Sequence, residues 1–398
     1  MIQVVETVAR PTAAWSDSKP VRVLFIPQWY PSVENSNGVS GTFCREHVRA
    51  ARLYDDVAVL VFSGRQDKRP TLEWKGMVDE GIPTFYASYG MSPIPHTTRP
   101  FFYWHLHRAF RRVVTDWGWP DVVHTQDQYA YYVMKTLQGF GIPFVISQHW
   151  SGFLRNVVPP AEVRRFRWAF ARAARVLPAN RFAEREYQRY GLRPAVTWLP
   201  NVLDDGTFYP ALGQQRQPWL LHVSGMTPEK RVPDIIRAFA LVVRKHPEAI
   251  LHVVGDGAAR VELETLAARE LPSDSIRFHG RQPKTVVAEW MRQCCALVLA
   301  SEAETFGCVL MEAMACGCPV LTTRVGGIPA VVPDGEGLFA EVGNIDQIAD
   351  GMRRLIERAH GLDLARVSSK IHQRFSPMAV GRLLHDEHAR AAQLNSSP

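Results

Sequence analysis

Glu304 and Glu312 stand eight residues apart in the stretch Ser301–Ala315 (SEAETFGCVLMEAMA), on either side of Thr305-Phe306-Gly307. The spacing predicts a helix that begins near Phe306 and ends before Gly317, a residue type suited to a helix's C-terminal stop. Val309, Leu310, Ala313 and Met314 recur at helical spacing and would form its buried stripe. Glu304 in the preceding loop and Glu312 about a turn and a half into the helix can then face the same side. Two carboxylates so placed accept hydrogen bonds from vicinal diols, the groups a sugar and a ribose offer. Gly307 lets a ligand approach the first turn, whose N–H groups donate to hydroxyls or phosphate. Spacing alone fits an exposed acidic pair on an ordinary amphipathic helix at least as well.

Other residues suit anions and hydroxyls. Lys230, in Met226-Thr227-Pro228-Glu229-Lys230-Arg231, lies between a predicted strand and a helix starting near Pro233, where an ammonium beside a helix N-terminus makes an anion site. His149 follows the apolar run Pro143–Ser147, and a histidine at a strand's carboxyl end can bond a sugar hydroxyl or an acceptor. His124 ends the preceding predicted strand and carries no assignment. The loop Asn37-Gly38-Val39-Ser40-Gly41-Thr42 precedes a helix, so its backbone donors suit a phosphate, although a simple tight turn explains a lone glycine loop equally well. Each of these residues has an ordinary structural reading when taken singly.

The elements that must position them alternate. Val21–Ile26, Val57–Phe62, Asp121–His124 and Pro143–Ser147 are apolar runs of buried-strand length, separated by predicted helices at Thr42–Leu53 and Tyr129–Gln138. The alternation restarts after Pro200. Strands are expected at Leu220–Val223, Ile250–Val254, Ile276–His279, Ala296–Ala300 and Val320–Thr322, with helices at Pro233–Lys245 and Val261–Arg269. Such alternation implies parallel sheets covered by helices on both faces. Two doubly wound, Rossmann-like units with a seam near Pro194–Pro210 fit it, and facing units would put ligands in the cleft between them. The expected divisions are an N-terminal extension (1–19), a first domain (20–200), a second domain (201–374) and a C-terminal helix (375–398) crossing back to the first.

Composition excludes several classes. The chain has 398 residues, 46% of them hydrophobic and 21% charged, too apolar for disorder. No run approaches the roughly 18 apolar residues of a membrane-spanning helix, and the first twenty residues lack a signal peptide's basic start and apolar core. A formal charge of +7 serves anionic ligands without demanding nucleic acid, of which no motif is present. Cys44, Cys294, Cys295, Cys308, Cys316 and Cys318 read as buried reduced thiols, consistent with a cytoplasmic protein. Arg and aromatic residues cluster at Phe101–Trp119 and Arg164–Arg175. They read as amphipathic helices with solvated Arg faces, or as a surface that sits on anionic lipid or a charged acceptor.

Taken together, Glu304 through Glu312, the run Ala313-Met314-Ala315-Cys316-Gly317-Cys318-Pro319-Val320 and Val325-Gly326-Gly327-Ile328-Pro329 resemble the retaining family-4 glycosyltransferases of GT-B fold. Leu199-Pro200-Asn201-Val202 with Phe208-Tyr209-Pro210, Val254-Gly255-Asp256-Gly257, Phe278-His279-Gly280 and Gly335-Glu336-Gly337-Leu338 extend the likeness over most of the chain. The resemblance implies an α/β fold of two Rossmann-like domains and transfer of a sugar, with retention, from a nucleotide-diphospho-sugar to an acceptor hydroxyl. It implies that Glu304 contacts the transferred sugar, helped by backbone N–H groups of Phe306, Gly307, Cys308 and Val309, and that Glu312 holds the ribose. It places Arg281 and Gln282 near the base, Gly41 and Thr42 at the donor phosphate, and His149 at the donor sugar. Lys230 would stabilise the leaving diphosphate. Many members carry an arginine five residues before that lysine, where this chain has Gly225, and Arg231 is expected to take over part of its role. No Asp-x-Asp metal motif is present, so the reading needs no metal and no cofactor beyond the nucleotide-sugar. A lipid-linked, sugar or small-molecule acceptor and peripheral contact with the inner face of the cell membrane are expected. The alternatives are another enzyme on this fold, a phosphorylase or nucleotide-sugar epimerase, and a non-catalytic carbohydrate-binding protein.

Overall fold

The computed structural model describes residues 19–31, 41–65, 71–90, 98–211, 216–358 and 361–394. The expected phosphate loop at Asn37–Ser40 therefore lies outside the described residues, while Gly41 and Thr42 lie within them. The chain divides into two compact units. In chain order the first begins with β1 (Arg22–Ile26), α1 (Thr42–Arg52), β2 (Asp56–Arg65), β3 (Leu72–Asp79), β4 (Ile82–Gly90) and α2 (Thr98–Asp116). It continues with β5 (Val122–Gln126), α3 (Tyr129–Leu137), β6 (Phe144–Gln148), α4 (Pro160–Phe170), β7 (Arg175–Pro178) and α5 (Ala183–Arg189).

The second unit holds β8 (Gln217–Val223), α6 (Val232–Val243), β9 (Ile250–Val254), α7 (Arg260–Glu270), β10 (Ile276–Phe278) and α8 (Lys284–Gln293). It goes on through β11 (Cys294–Leu299), α9 (Cys308–Ala315), β12 (Val320–Thr323), α10 (Ile328–Val331), β13 (Leu338–Ala340), α11 (Ile345–Ile356) and α12 (Leu364–Phe375). The last helix, α13 (Pro377–Gln393), belongs to the first unit, where it packs on α1.

The first sheet has the order β3-β4-β2-β1-β5-β6-β7 and is parallel except for β3, which pairs antiparallel with β4. Its two faces are covered by different helices. Phe110, Val133, Met134 and Phe166 from α2, α3 and α4 form the core on one face, and Val48 of α1 with Val380 and Leu384 of α13 forms it on the other. Fully burying a side chain of this size contributes about 1.5–3 kcal/mol, so each face is held by many such increments. The β3–β4 hairpin is an element that the alternation does not signal. Its tight turn is Glu80-Gly81, both with positive φ (49° and 77°), the backbone that a two-residue hairpin requires.

The second sheet is wholly parallel, with the order β10-β9-β8-β11-β12-β13. Strand order reverses beside β1 in the first unit and between β8 and β11 in the second, the switch points where open α/β sheets take ligands at their carboxyl ends. Among the described residues no helix is long and apolar enough to cross a membrane.

Candidate active site

The second unit's switch point gathers Lys230 and Glu304. The loop leaving β8 runs from Ser224 to Lys230, and the loop leaving β11 runs from Ala300 to Gly307. A backbone bond from Glu302 N–H to Glu229 O (2.9 Å) ties the two together. Lys230 Nζ donates to Glu304 Oε1 at 2.5 Å, and Ser301 Oγ donates to the same oxygen at 3.2 Å. Both side chains of the pair are largely buried, 21% and 13% exposed, so its charges interact more strongly than a surface pair would. One carboxylate oxygen is thus occupied by a cation, and the second accepts no side-chain hydrogen bond among the described residues.

Glycine backbone makes this end of the sheet possible. A Cβ at Gly255 would stand 1.8 Å from Ser224 O, and one at Gly257 2.1 Å from Gly225 O, so the β9 loop packs directly on the backbone that leads to Lys230. Gly327 plays the same part for the other loop. Its N–H donates to Glu304 O (2.9 Å), and a Cβ there would meet Thr305 O at 2.1 Å. His222 reinforces the first loop from below. Its two ring nitrogens lie 2.9 Å from Val298 O and 2.7 Å from Ser224 Oγ, and Ser224 Oγ accepts from Met226 N–H.

The helix carrying Glu312 starts at Cys308, two residues later than the spacing suggests. The reason is Gly307, whose φ of 88° makes it the cap, while Phe306 turns inward to an edge-on contact with Phe375 at 5.7 Å. Phe306 therefore contributes backbone and core rather than a ligand-facing ring. The intrahelical ladder begins with Leu310 N–H donating to Gly307 O, which leaves the first turn at Cys308 and Val309 at the helix's positive end. Glu312 accepts no side-chain hydrogen bond among the described residues. Burial pushes its carboxyl up to about 7, with the Lys284 ammonium drawing it down and Asp204 pushing it further up. Lys284, itself 3.9 Å from Asp204, is a neighbour that motif reading missed; its place at the start of α8, just past Gln282, is the only signal for it. Arg281 and Gln282 are exposed on the turn after Gly280, and the Gln282 amide donates to His279 O at 2.8 Å.

Arg231 turns away from the role expected of it. Its φ of 50° swings the side chain into carboxylates, Nε to Asp234 Oδ2 at 2.6 Å and Nη1 to Glu302 Oε2 at 3.2 Å. Its charge is compensated there. Gly225 is exposed, and a Cβ built on it meets nothing within 4 Å.

In the first unit, His149 follows β6 and its backbone N–H donates to Asp127 Oδ1 at 2.7 Å, as does that of Trp150 at 3.0 Å. The imidazole lies 4.4 Å from the Phe43 ring and 5.3 Å from His47, both on α1. Burial, then the neighbouring His47, hold its pKa well below the ordinary value, so it is neutral, and its buried Nε2 has no hydrogen-bond partner among the described residues. Asp127 went unnoticed in the sequence. It is buried with a φ of 44°, and burial pushes its carboxyl up to about 6 despite the two N–H donors. His124 is packed within the first unit. It sits inside β5, stacks on Phe25 at 4.6 Å and bonds His388 of α13 at 3.0 Å. Gly41 (φ 84°) caps α1 with its carbonyl, which accepts from Cys44 and Arg45, and Thr42 opens the helix. A Cβ at Gly41 would lie 2.6 Å from Trp29 backbone.

Comparison with known proteins is consistent across the chain. Residues 40–206 match the profile described as Glycosyltransferase Family 4, and residues 210–371 the one described as Glycosyl transferases group 1. An N-acetyl-alpha-D-glucosaminyl L-malate synthase of Bacillus anthracis is 38% identical over 159 residues, 39% of this chain and 41% of that protein, so the match spans less than half of the relative. A D-inositol 3-phosphate glycosyltransferase of Streptomyces avermitilis is 26% identical over 388 residues, 84% of this chain and 80% of the relative. Among solved structures, Anabaena HepE in complex with UDP-glucose superposes with a TM-score of 0.69 at 18% identity, covering 95% of this chain and all (100%) of that one.

Proposed function

This chain belongs to the group 1, family-4 glycosyltransferases of GT-B fold, and from that premise we propose that it moves a sugar, with retention, from a nucleotide-diphospho-sugar to an acceptor hydroxyl. The observation that carries the reading is the Lys230–Glu304 pair at the switch point of the second sheet. Lys230 offsets the charge that develops on the departing diphosphate, and Glu304 orients the transferred sugar through its remaining oxygen. The first-turn N–H groups of α9, at Cys308 and Val309, and the Phe306-Gly307 backbone assist. Glu312 accepts from the ribose hydroxyls, and Arg281 and Gln282 line the base. His149 offers a neutral imidazole to a sugar hydroxyl, and Gly41 and Thr42 offer backbone donors to phosphate.

In the step itself the bond from the anomeric carbon to the diphosphate oxygen breaks. The acceptor oxygen bonds that carbon on the same face, and the acceptor's proton passes to the departing phosphate. The chain supplies electrostatics and orientation rather than a covalent nucleophile. A uridine nucleotide is the first donor to test, because HepE was solved with UDP-glucose. The enzyme is placed in the cytoplasm, in peripheral contact with the membrane's inner face, in glycan, glycolipid or polysaccharide synthesis. The test is a panel of UDP-, GDP-, ADP- and TDP-sugars screened by thermal shift, followed by proton NMR of the first product. A product with the donor's anomeric configuration is expected; an inverted product, or no turnover of any donor, overturns the reading.

A further inference from the structure

Asp127, the residue directly after β5, is poorly suited to stabilise the fold. Its φ of 44° is a left-handed backbone, strained for most residues with a side chain. Its carboxylate is buried, Oδ2 has no hydrogen-bond partner, and no cation pairs with it among the described residues. Burial pushes the carboxyl up to about 6, so lost hydration outweighs the N–H donors it accepts from. The ionisable groups that feel its charge, Cys44 of α1 and Tyr187 of α5, are themselves pushed up, first by burial, and stay neutral. A carboxyl raised in the folded state favours folding below its unfolded pKa, and that contribution is lost as pH rises through about 6. At pH 8 the charged group therefore works against the fold, and its presence calls for another reason.

That reason lies in what it holds. Asp127 N–H donates to Ser147 O of β6 at 3.0 Å, and its carbonyl accepts from Ala130 N–H of α3 at 3.3 Å. Fixed to both neighbours, it turns Oδ1 to the backbone that follows β6, accepting from the N–H groups of His149 and Trp150 at 2.7 and 3.0 Å. The same turn is gripped from its other side. The Gln148 amide donates to Trp150 O at 2.7 Å, and the Tyr187 hydroxyl donates to that amide's oxygen at 3.1 Å. The Trp150 ring lies over Gly152 and leaves no room there for a Cβ. Backbone and indole are thus tied down, while the His149 imidazole ends in a buried Nε2 with no hydrogen-bond partner among the described residues. Asp127, Gln148 and Tyr187 fix the backbone beneath one imidazole, the kind of support that pre-orients a ligand-binding group.

We infer, resting on the role given to His149 above, that Asp127 is a positioning residue for the transfer. Its carboxylate, with the Gln148 amide opposite, sets the His149–Trp150 backbone so that His149 Nε2 meets its hydroxyl. Asp127→Asn tests this at pH 8, because asparagine keeps an acceptor and tolerates a positive φ. The variant should melt no lower than wild type, since it removes the buried charge. It should nevertheless lose about two- to fivefold in kcat/KM on the preferred donor, having exchanged a charged acceptor for a neutral one. In a His149→Ala background the same substitution should cost less than about 1.5-fold, because the ring it serves is gone. Asp127→Ala should come close to His149→Ala in kcat/KM, and its His149 and Trp150 amides should exchange with deuterium at least about tenfold faster. If the alanine variant does not fold, the asparagine cycle decides. Equal losses in both backgrounds, no loss from Asp127→Asn, unchanged amide exchange, or a loss accompanied by a lower melting temperature overturns the inference. His149→Ala at the wild-type rate overturns the reading of His149 and this inference with it. An impaired His149→Ala with any of the other outcomes overturns this inference alone.

Discussion

The carboxyl ends of the two sheets carry opposite chemistry. At the second, charged groups are already paired with one another: Lys230 with Glu304, Arg231 with Asp234 and Glu302, Lys284 near Asp204. At the first, two imidazoles are neutral, and His149 Nε2 and Asp127 Oδ2 are buried with no hydrogen-bond partner among the described residues. Burial keeps His149 and His47 uncharged, the latter with its pKa lowered to about 4. In the function proposed above, the second sheet's end steadies charge and the first's exchanges single hydrogen bonds with hydroxyls. The difference predicts a large loss at Lys230, a pH-sensitive one at Glu312, and a smaller loss, flat with pH, at His149.

Lys230→Ala should give the largest effect, a fall in turnover of about 10²–10³, the scale of losing one group that stabilises transition-state charge. Steady-state kinetics on the preferred donor measures it. A fall of less than about tenfold would erase the contrast between the two ends, because Lys230 would then be an ordinary ion-pair partner of Glu304.

Glu312 sharpens the comparison through pH. Burial pushes its carboxyl up from 4.5 to about 7, and among the described residues no side chain donates to it. Nucleotide affinity should therefore fall as pH drops through about 7, as the charged acceptor for ribose is protonated, and Glu312→Ala should cost about 1–3 kcal/mol of affinity above that pH. The stability effect has the opposite sense. A carboxyl with a raised folded pKa favours the folded state below its unfolded value, and that contribution is lost as pH rises toward 7. Glu312→Gln should then be more stable than wild type near pH 8 by about 1–3 kcal/mol, with the gain gone below about pH 4. Calorimetry and thermal melts at both pH values check the two halves, and equal nucleotide affinity in wild type and Glu312→Ala would remove the ribose assignment.

His149→Ala should cost no more than about tenfold in kcat/KM, the value of one hydrogen bond between neutral groups. The ratio of wild type to variant should stay constant from about pH 6 to 8, since a buried neutral imidazole does not titrate there. A ratio that changes across that range would mean that the ring carries charge in the working enzyme.

These unequal effects track what could be read in advance. The strands at Ile250–Val254 and Val320–Thr323 and the helix at Thr42–Arg52 were legible because apolar runs and helical periodicity are local signals. The β3–β4 hairpin was not, because its half-buried alternation is weak and its Glu80-Gly81 turn lacks the usual Asn-Gly or Asp-Gly pair. Lys230, Glu304 and Glu312 stand in contiguous motifs, so their neighbours in sequence point to them. The first unit's end is assembled from α1, β5 and β6, and Asp127 meets the His149 backbone across 22 residues. No local pattern encodes such a meeting. The start of α9 was misplaced for a related reason: Phe306 fits the helical stripe, but its partner Phe375 lies on a distant helix.

Arg231 and Gly225 give the smallest expected effects and decide where the second cation of the phosphate site comes from. Arg231 is held by two carboxylates, so moving it toward a diphosphate would break both contacts, and its exposed pair with Glu302 is worth only about 0.2–1 kcal/mol. Arg231→Ala is therefore expected to keep turnover within about threefold while lowering stability by that modest amount. Gly225 has ordinary φ and open space around it, so Gly225→Arg should fold normally and bring a guanidinium to the loop that carries Lys230. One added, solvent-exposed charge near a diphosphate should raise nucleotide affinity by a factor of about three to ten at low salt, and less at high salt. If Arg231→Ala instead falls tenfold or more while Gly225→Arg changes nothing, Arg231 leaves its carboxylates when the donor binds. The site would then rearrange on binding, and the paired charges at the second sheet would be its resting state rather than its working one.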